Sequence, residues 1–162
     1  MRRHFKRSES AKMDKKTLGN LGETSAAEYL TRKGYHIIGR NVYIGHAEID
    51  IIAENDTTIV FAEVKTRRQY PDKFNIFPRP ADAVDERKRA CLIRAVEGYS
   101  KENKSEKSPR IDIIEVYADP TGENYTVLDI LHFEGAVKKI GKFSHFTFQD
   151  EGGGIDFLAL LI

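Results

Sequence analysis

Two neighbouring apolar runs, Glu48-Ile49-Asp50-Ile51-Ile52 and Val60-Phe61-Ala62-Glu63-Val64-Lys65, each carry ionisable side chains in mid-run. Their aliphatic and aromatic content predicts strands, and the short polar link Glu54-Asn55-Asp56-Thr57 predicts a hairpin turn between them. Side chains alternate along a strand, so Glu48 and Asp50 share one face, as do Glu63 and Lys65. A turn centred between Asp56 and Thr57 sets Asp50 opposite Glu63 and Glu48 opposite Lys65. A shift of one residue leaves the same groups as diagonal neighbours, still within reach of a shared ion.

Carboxylates facing each other in a sheet repel, and burial worsens both ionised forms. A divalent cation compensates directly, because Mg²⁺ or Mn²⁺ takes oxygen ligands and accepts one or two carboxylates plus water. Lys65 adds a positive charge on the same face. Such a set suits phosphodiester chemistry, in which a metal activates water and lysine orients the nucleophile or stabilises the transition state. The plain alternative is an exposed hairpin with a Glu48–Lys65 ion pair and solvated Asp50 and Glu63.

Around this hairpin the pattern predicts a helix from Asn20 to Lys33, with Asn20 as cap and Gly34 as terminator. A strand follows over Tyr35 to Tyr43. A loop from Arg68 to Arg79 contains Pro71 and Pro78, and a second helix begins near the cap Asp85 and runs to Tyr99. Further strands are predicted over Arg110 to Tyr117 and Tyr125 to Phe133. The order helix, three strands, helix, two strands implies an α/β fold with a mixed central sheet flanked by helices. Glu23 shares a helix face with Ala26, Ala27 and Leu30, which can aim it at the sheet as a third acid; the competing reading is a capping-box pair with Asn20.

At 162 residues the chain fits one domain, and its net charge of +1 excludes a whole-molecule attraction to polyanions. Any nucleic-acid contact must come from a local basic patch. The single cysteine, Cys91, excludes an internal disulfide and a CxxC metal site, fits a reducing cytoplasmic setting, and reads as a buried structural thiol. Residues 1–17 read as a basic flexible arm without the apolar run of a secretory signal, 18–140 as the folded domain, and 141–162 as a tail. The closing run IDFLALLI is too short to span a bilayer, so no membrane partner is expected.

The run GNLGETSAAEYLTRKGYHIIGRN, then AEIDIIA, VFAEVKTR, ADAVDERKR, RIDIIEVY and ILHFEGAV, resembles the YraN-type uncharacterised bacterial family over roughly Leu18 to Lys139. It departs from that family's pattern at Ala47, where glycine is usual, and at Ala62, where a larger residue is usual. That family is similar to the PD-(D/E)xK nucleases, including archaeal Holliday-junction resolvases. The resemblance implies a restriction-endonuclease-like αβββαβ core and a metal-dependent endonuclease acting on DNA, branched or damaged DNA included. It implies Asp50 and Glu63 as metal ligands, Lys65 as the catalytic lysine, and Glu23 as a helix-borne acid acting through water. The alternative is a non-catalytic nucleic-acid-binding module that keeps the nuclease fold.

Arg67 and Arg68 after the second hairpin strand, and Arg87, Lys88 and Arg89 at the start of the second helix, lie where phosphates could meet the site. Arg40 and Asn41 match the family's RN pair. Of these, Arg40, Asn41, Arg67 and Lys88 are the candidate nucleic-acid contacts, and Tyr70 and Phe74 are candidates for stacking on unpaired bases. His132 reads as a structural hydrogen-bonding residue. A two-fold homodimer would suit a branched substrate.

Overall fold

The computed structural model describes residues 14–69, 84–119 and 125–138. In chain order these form α1 (Lys15–Arg32), β1 (His36–Ile44), β2 (Ala47–Glu54), β3 (Thr58–Arg68), α2 (Glu86–Asn103), β4 (Ser108–Asp119) and β5 (Thr126–Val137). The strands form one sheet in the order β1-β2-β3-β4-β5. All neighbours are antiparallel except β3 and β4, which run parallel because α2 carries the chain back across the sheet. The αβββαβ order and the mixed sheet are thus both present. Tyr70 and Phe74, the candidate stacking residues, lie outside the described residues.

α1 starts earlier than predicted. Its cap is Asp14, whose Oδ1 accepts the N–H groups of Lys16 and Thr17 at 2.9 and 3.0 Å. Lys15, Lys16 and Thr17, assigned above to the arm, are therefore helical, and Asn20 lies inside the helix. Gly19 weakens helix propensity and hides this first turn from a reading by periodicity. The predicted stop is correct. Gly34 has φ 87°, Gly34 N–H donates to Thr31 and Tyr35 N–H to Leu30, both at 3.0 Å, closing the helix as a Schellman turn.

Two apolar layers hold the helices to the sheet. Ala26, Ala27 and Leu30 of α1 pack with Ile51, Ala53, Val60, Ala62, Val64, Ile114 and Val116. Leu92, Ala95 and Val96 of α2 pack with Ile49, Ile52, Ile59, Phe61, Ile111 and Ile113 on the other layer. Cys91 is half-buried at the edge of the second layer, where its Sγ accepts a hydrogen bond from Arg94 at 3.2 Å, so the thiol is structural though not fully enclosed.

Gly22 lets α1 approach β3. A Cβ there would overlap the hydroxyl of Thr66 and come within 2.9 Å of its Cβ and Cγ2. Gly22→Ala gains about 1 kcal/mol of helix propensity, against an overpacking cost of about 1–3 kcal/mol. The expected result in urea denaturation is a net loss of roughly 1 kcal/mol, recovered by adding Thr66→Ala.

Among the described residues no helix is long and apolar enough to cross a membrane.

Candidate metal centre

The hairpin register is the one expected. Ile51 faces Ala62, Ile52 faces Phe61, Ala53 faces Val60 and Glu54 faces Ile59. Asn55 fixes the turn, its Oδ1 accepting the N–H groups of Thr57 and Thr58 at 3.0 and 2.8 Å. The β2–β3 ladder stops at Ile51, whereas β2 stays paired with β1 as far as Ala47. Ile49 and Ile51 would share a face in a regular strand, yet Ile49 lies in the α2 layer and Ile51 in the α1 layer. The alternation therefore slips at Asp50, and the two strands part where the two carboxylates meet.

In that opening the Asp50 side chain takes the place of a backbone partner. Its Oδ2 accepts the Val64 N–H at 2.6 Å. Burial pushes the Asp50 carboxyl up to about 6, helped by the neighbouring Glu63 and Glu23 carboxylates and opposed by the Val64 N–H and Lys88. Asp50 and Glu63 thus form a mutually repelling carboxylate pair in a partly desolvated position.

Glu63 is 3% exposed. Lys65 Nζ lies 2.5 Å from its Oε1, and Lys88 Nζ lies 2.9 Å from its Oε2. The Lys88 contact is a charge contact only, because Oε2 is buried and receives no hydrogen bond. Lys88 Nζ donates instead to the Glu48 carbonyl at 2.9 Å. The exposed-hairpin alternative fails here: Lys65 pairs with Glu63, not Glu48, and Glu63 is buried.

Glu23 lies in mid-helix, which overturns the capping-box pair with Asn20. Its Oε2 is 3.9 Å from Arg40 Nη2, which donates to Thr24 Oγ1 at 3.1 Å. Arg40 therefore ties β1 to α1. Asn41 adopts φ 51°, a left-handed conformation that asparagine tolerates better than most residues. Both members of the RN pair thus have a structural reason to be there.

Arg67 reaches sideways to β4. Its Nη2 donates to Glu115 Oε1 at 3.0 Å, and Tyr117 donates its hydroxyl to Glu115 Oε2 at 2.6 Å. Glu115 is 1% exposed and lies beside Lys65 in the parallel ladder. Burial and this carboxylate push the Tyr117 hydroxyl up, keeping it a donor. Neither Glu115 nor the buried Asp112 was picked out from sequence; the available signal was a charge inside the apolar run Arg110-Ile111-Asp112-Ile113-Ile114-Glu115. Arg89, grouped above with the cations that could meet phosphates, is buried.

Asp112 belongs to a separate network. It accepts from Arg110 Nη2, from Gly135 N–H and from His132 Nε2, each at 2.8 Å, and Arg110 donates onward to Tyr35. His132 is structural, as expected, and stacks edge-on against Tyr29 of α1.

Among the described residues no three His, Cys, Asp or Glu side chains gather closely enough to cage an ion. The residues nevertheless fit a hard cation that keeps most of its water: two convergent carboxylates, one buried oxygen without a hydrogen bond, and no soft ligand. Asp50 and Glu63 would hold it.

Residues 22–116, which include both carboxylates, Lys65 and Lys88, match the model of the uncharacterised protein family UPF0102. A UPF0102 protein of Caldanaerobacter subterraneus is 40% identical over 126 residues, 77% of this chain and 98% of the relative. One from Caldicellulosiruptor saccharolyticus is 40% identical over 119 residues, 73% and 94% of the two chains. Another, from Flavobacterium psychrophilum, is 37% identical over 129 residues, 80% and 95%. On the family match and these relatives, which the chain covers almost completely, the protein belongs to the uncharacterised protein family UPF0102.

Proposed function

We propose that this protein is a metal-dependent endonuclease that hydrolyses phosphodiester bonds in DNA, using Mg²⁺ or Mn²⁺ held by Asp50 and Glu63. The observation that carries the reading is the opening between β2 and β3, where a carboxyl pushed up to about 6 meets a buried carboxylate oxygen without a hydrogen bond. When bound, the ion would supply an activated water and neutralise charge on the phosphate. Asp50 is oriented for this by the Val64 N–H, which fixes one carboxylate oxygen. Lys65, on the same strand face as Glu63 and about one-third exposed, is placed to hold an ammonium beside the scissile phosphate. Glu23 on α1 adds an acid that reaches the site through water. Lys88 contacts Glu63 and Arg40 lies 3.9 Å from Glu23, and with Asn41 and Arg67 they are the proposed DNA contacts.

The test uses purified full-length protein with linear, flap and four-way DNA, with Mn²⁺ or EDTA. Cleavage with Mn²⁺ alone is expected, and Lys65→Ala should reduce it roughly 10²–10³-fold, the range for removing one transition-state donor. Folded protein that cuts none of these substrates contradicts the reading. The two-carboxylate set, with no third metal-binding side chain close by among the described residues, favours one second reading: a module that binds nucleic acid without cutting it. DNA binding that survives both EDTA and Asp50→Ala, without cleavage, would establish that reading.

A further inference from the structure

We infer that Lys88 is a resident counter-ion of the metal-free site: its ammonium, held between Glu63 and the Glu48 carbonyl, covers the Glu63 oxygen that a divalent cation would take, and must leave for that cation to bind. The inference rests on the metal reading above and adds a competition built into the chain itself.

Three observations carry it. The Lys88 ammonium lies 2.9 Å from Glu63 Oε2 and 2.9 Å from the Glu48 carbonyl oxygen, so one cation already bridges two oxygens of the opening. The other Glu63 oxygen is held by Lys65, so Oε2 is the oxygen left for an incoming ion. That oxygen is buried and lacks a hydrogen bond even with Lys88 beside it, so the lysine neutralises it without satisfying its directional demand. Lys88 also acts on Asp50, where its charge opposes the upward push of burial and of Glu63.

A divalent ion on Glu63 Oε2 would meet the Lys88 ammonium at close range. Like charges that close in a partly desolvated pocket repel strongly. Lys65 pairs with the other oxygen, Oε1, so it is Lys88 that stands where an ion on Oε2 would approach. Lys88 has a flexible four-carbon stem rooted in the first turn of α2, and its side chain is 30% exposed, so it has a way out. The lysine therefore keeps the carboxylate charge-balanced before metal arrives and weakens the metal's apparent affinity by its own occupancy.

The experiment is calorimetric titration of Mn²⁺ into the full-length chain at neutral pH, comparing wild type, Lys88→Met, Lys88→Gln and Glu63→Gln, with melting curves for each. Both Lys88 variants are expected to bind Mn²⁺ about fivefold or more tightly than wild type, the direction set by removing a like charge. Metal-free, they should melt below wild type and gain more from Mn²⁺. Lys88→Gln keeps a donor for the Glu48 carbonyl and guards against poor folding of Lys88→Met. In wild type, Mg²⁺ titration followed by lysine ¹H–¹³Cε spectra should move the Lys88 resonance further than that of Lys65. Equal or weaker Mn²⁺ binding by folded Lys88 variants, with clear binding by wild type, overturns the competition and leaves the metal site standing. Absence of Mn²⁺ binding in wild type and in both Lys88 variants overturns the metal reading along with it.

Discussion

Asp50→Asn is expected to make the metal-free protein more stable at pH 7 while abolishing its response to divalent ions. The Asp50 carboxyl is pushed up to about 6 by burial and by Glu63, so the folded state resists its ionisation. The sign follows: below about pH 3 the group is protonated in both states and costs nothing. As pH rises towards 6 the unfolded chain ionises freely and the folded one does not, so stability falls. Two pKa units correspond to about 3 kcal/mol, and asparagine removes that penalty while still accepting the Val64 N–H. Urea denaturation with EDTA should show the variant more stable by roughly 1–3 kcal/mol at pH 7, the difference shrinking as pH falls and vanishing by about pH 3. With Mn²⁺, wild type should gain stability and the variant should not, and DNA cleavage should fall at least about 10²-fold. A variant that is less stable at pH 7 in EDTA would contradict the strained carboxylate pair.

Asp112→Ala is expected to be the most damaging change to the fold. Asp112 is fully buried and accepts from donors of three residues, Arg110, His132 and Gly135. Gly135 has φ 61° and lies where the β4–β5 register shifts, so the carboxylate satisfies a backbone donor the ladder leaves over. Removing it leaves the Gly135 N–H and His132 Nε2 without their acceptor and takes one of two carboxylate partners from Arg110, which keeps Glu134, at a cost of about 3–5 kcal/mol. Burial alone would raise this carboxyl, but hydrogen bonds from His132, Arg110 and Gly135 outweigh it and hold it below the usual range. Its stabilisation is therefore complete above the ordinary aspartate pKa and fades as pH falls below it. Asp112 thus adds stability as pH rises through the ordinary aspartate range, while Asp50 removes it between about pH 4 and 6. Asp112→Asn, measured by pH-dependent melting, should flatten the acid limb; Asp50→Asn should flatten the limb between about pH 4 and 6.

Much of the fold was legible in the sequence because its signals are local. The Asn55 turn sets the hairpin register, Gly34 ends α1 through its positive φ, and Asp85 starts α2 by accepting the Lys88 N–H at 2.7 Å. The start of α1 was not legible, because Gly19 looks like punctuation ahead of Asn20. Gly22 is demanded by Thr66, a residue 44 positions away whose contact no local pattern encodes. The site was half legible. Alternation put Asp50 and Glu63 together, but the slip at Asp50 depends on β2 staying with β1 while leaving β3. Lys88 was visible as a basic residue near a helix start, not as the partner of Glu63, since that contact joins α2 to β3. Glu115 and Asp112 were masked by the apolar runs around them, and only the partners Arg67, Tyr117, Arg110 and His132 show why charge is tolerated there.

The central claim is that Asp50 and Glu63 hold one divalent ion in the opening between β2 and β3. Crystals of the protein soaked in Mn²⁺ and measured at the manganese edge test it most directly. The expected result is a single anomalous peak about 2.1 Å from an oxygen of each carboxylate, with the Lys88 ammonium moved off Glu63. A well-ordered site with no peak at saturating Mn²⁺, or with the ion bound away from both carboxylates, would contradict it.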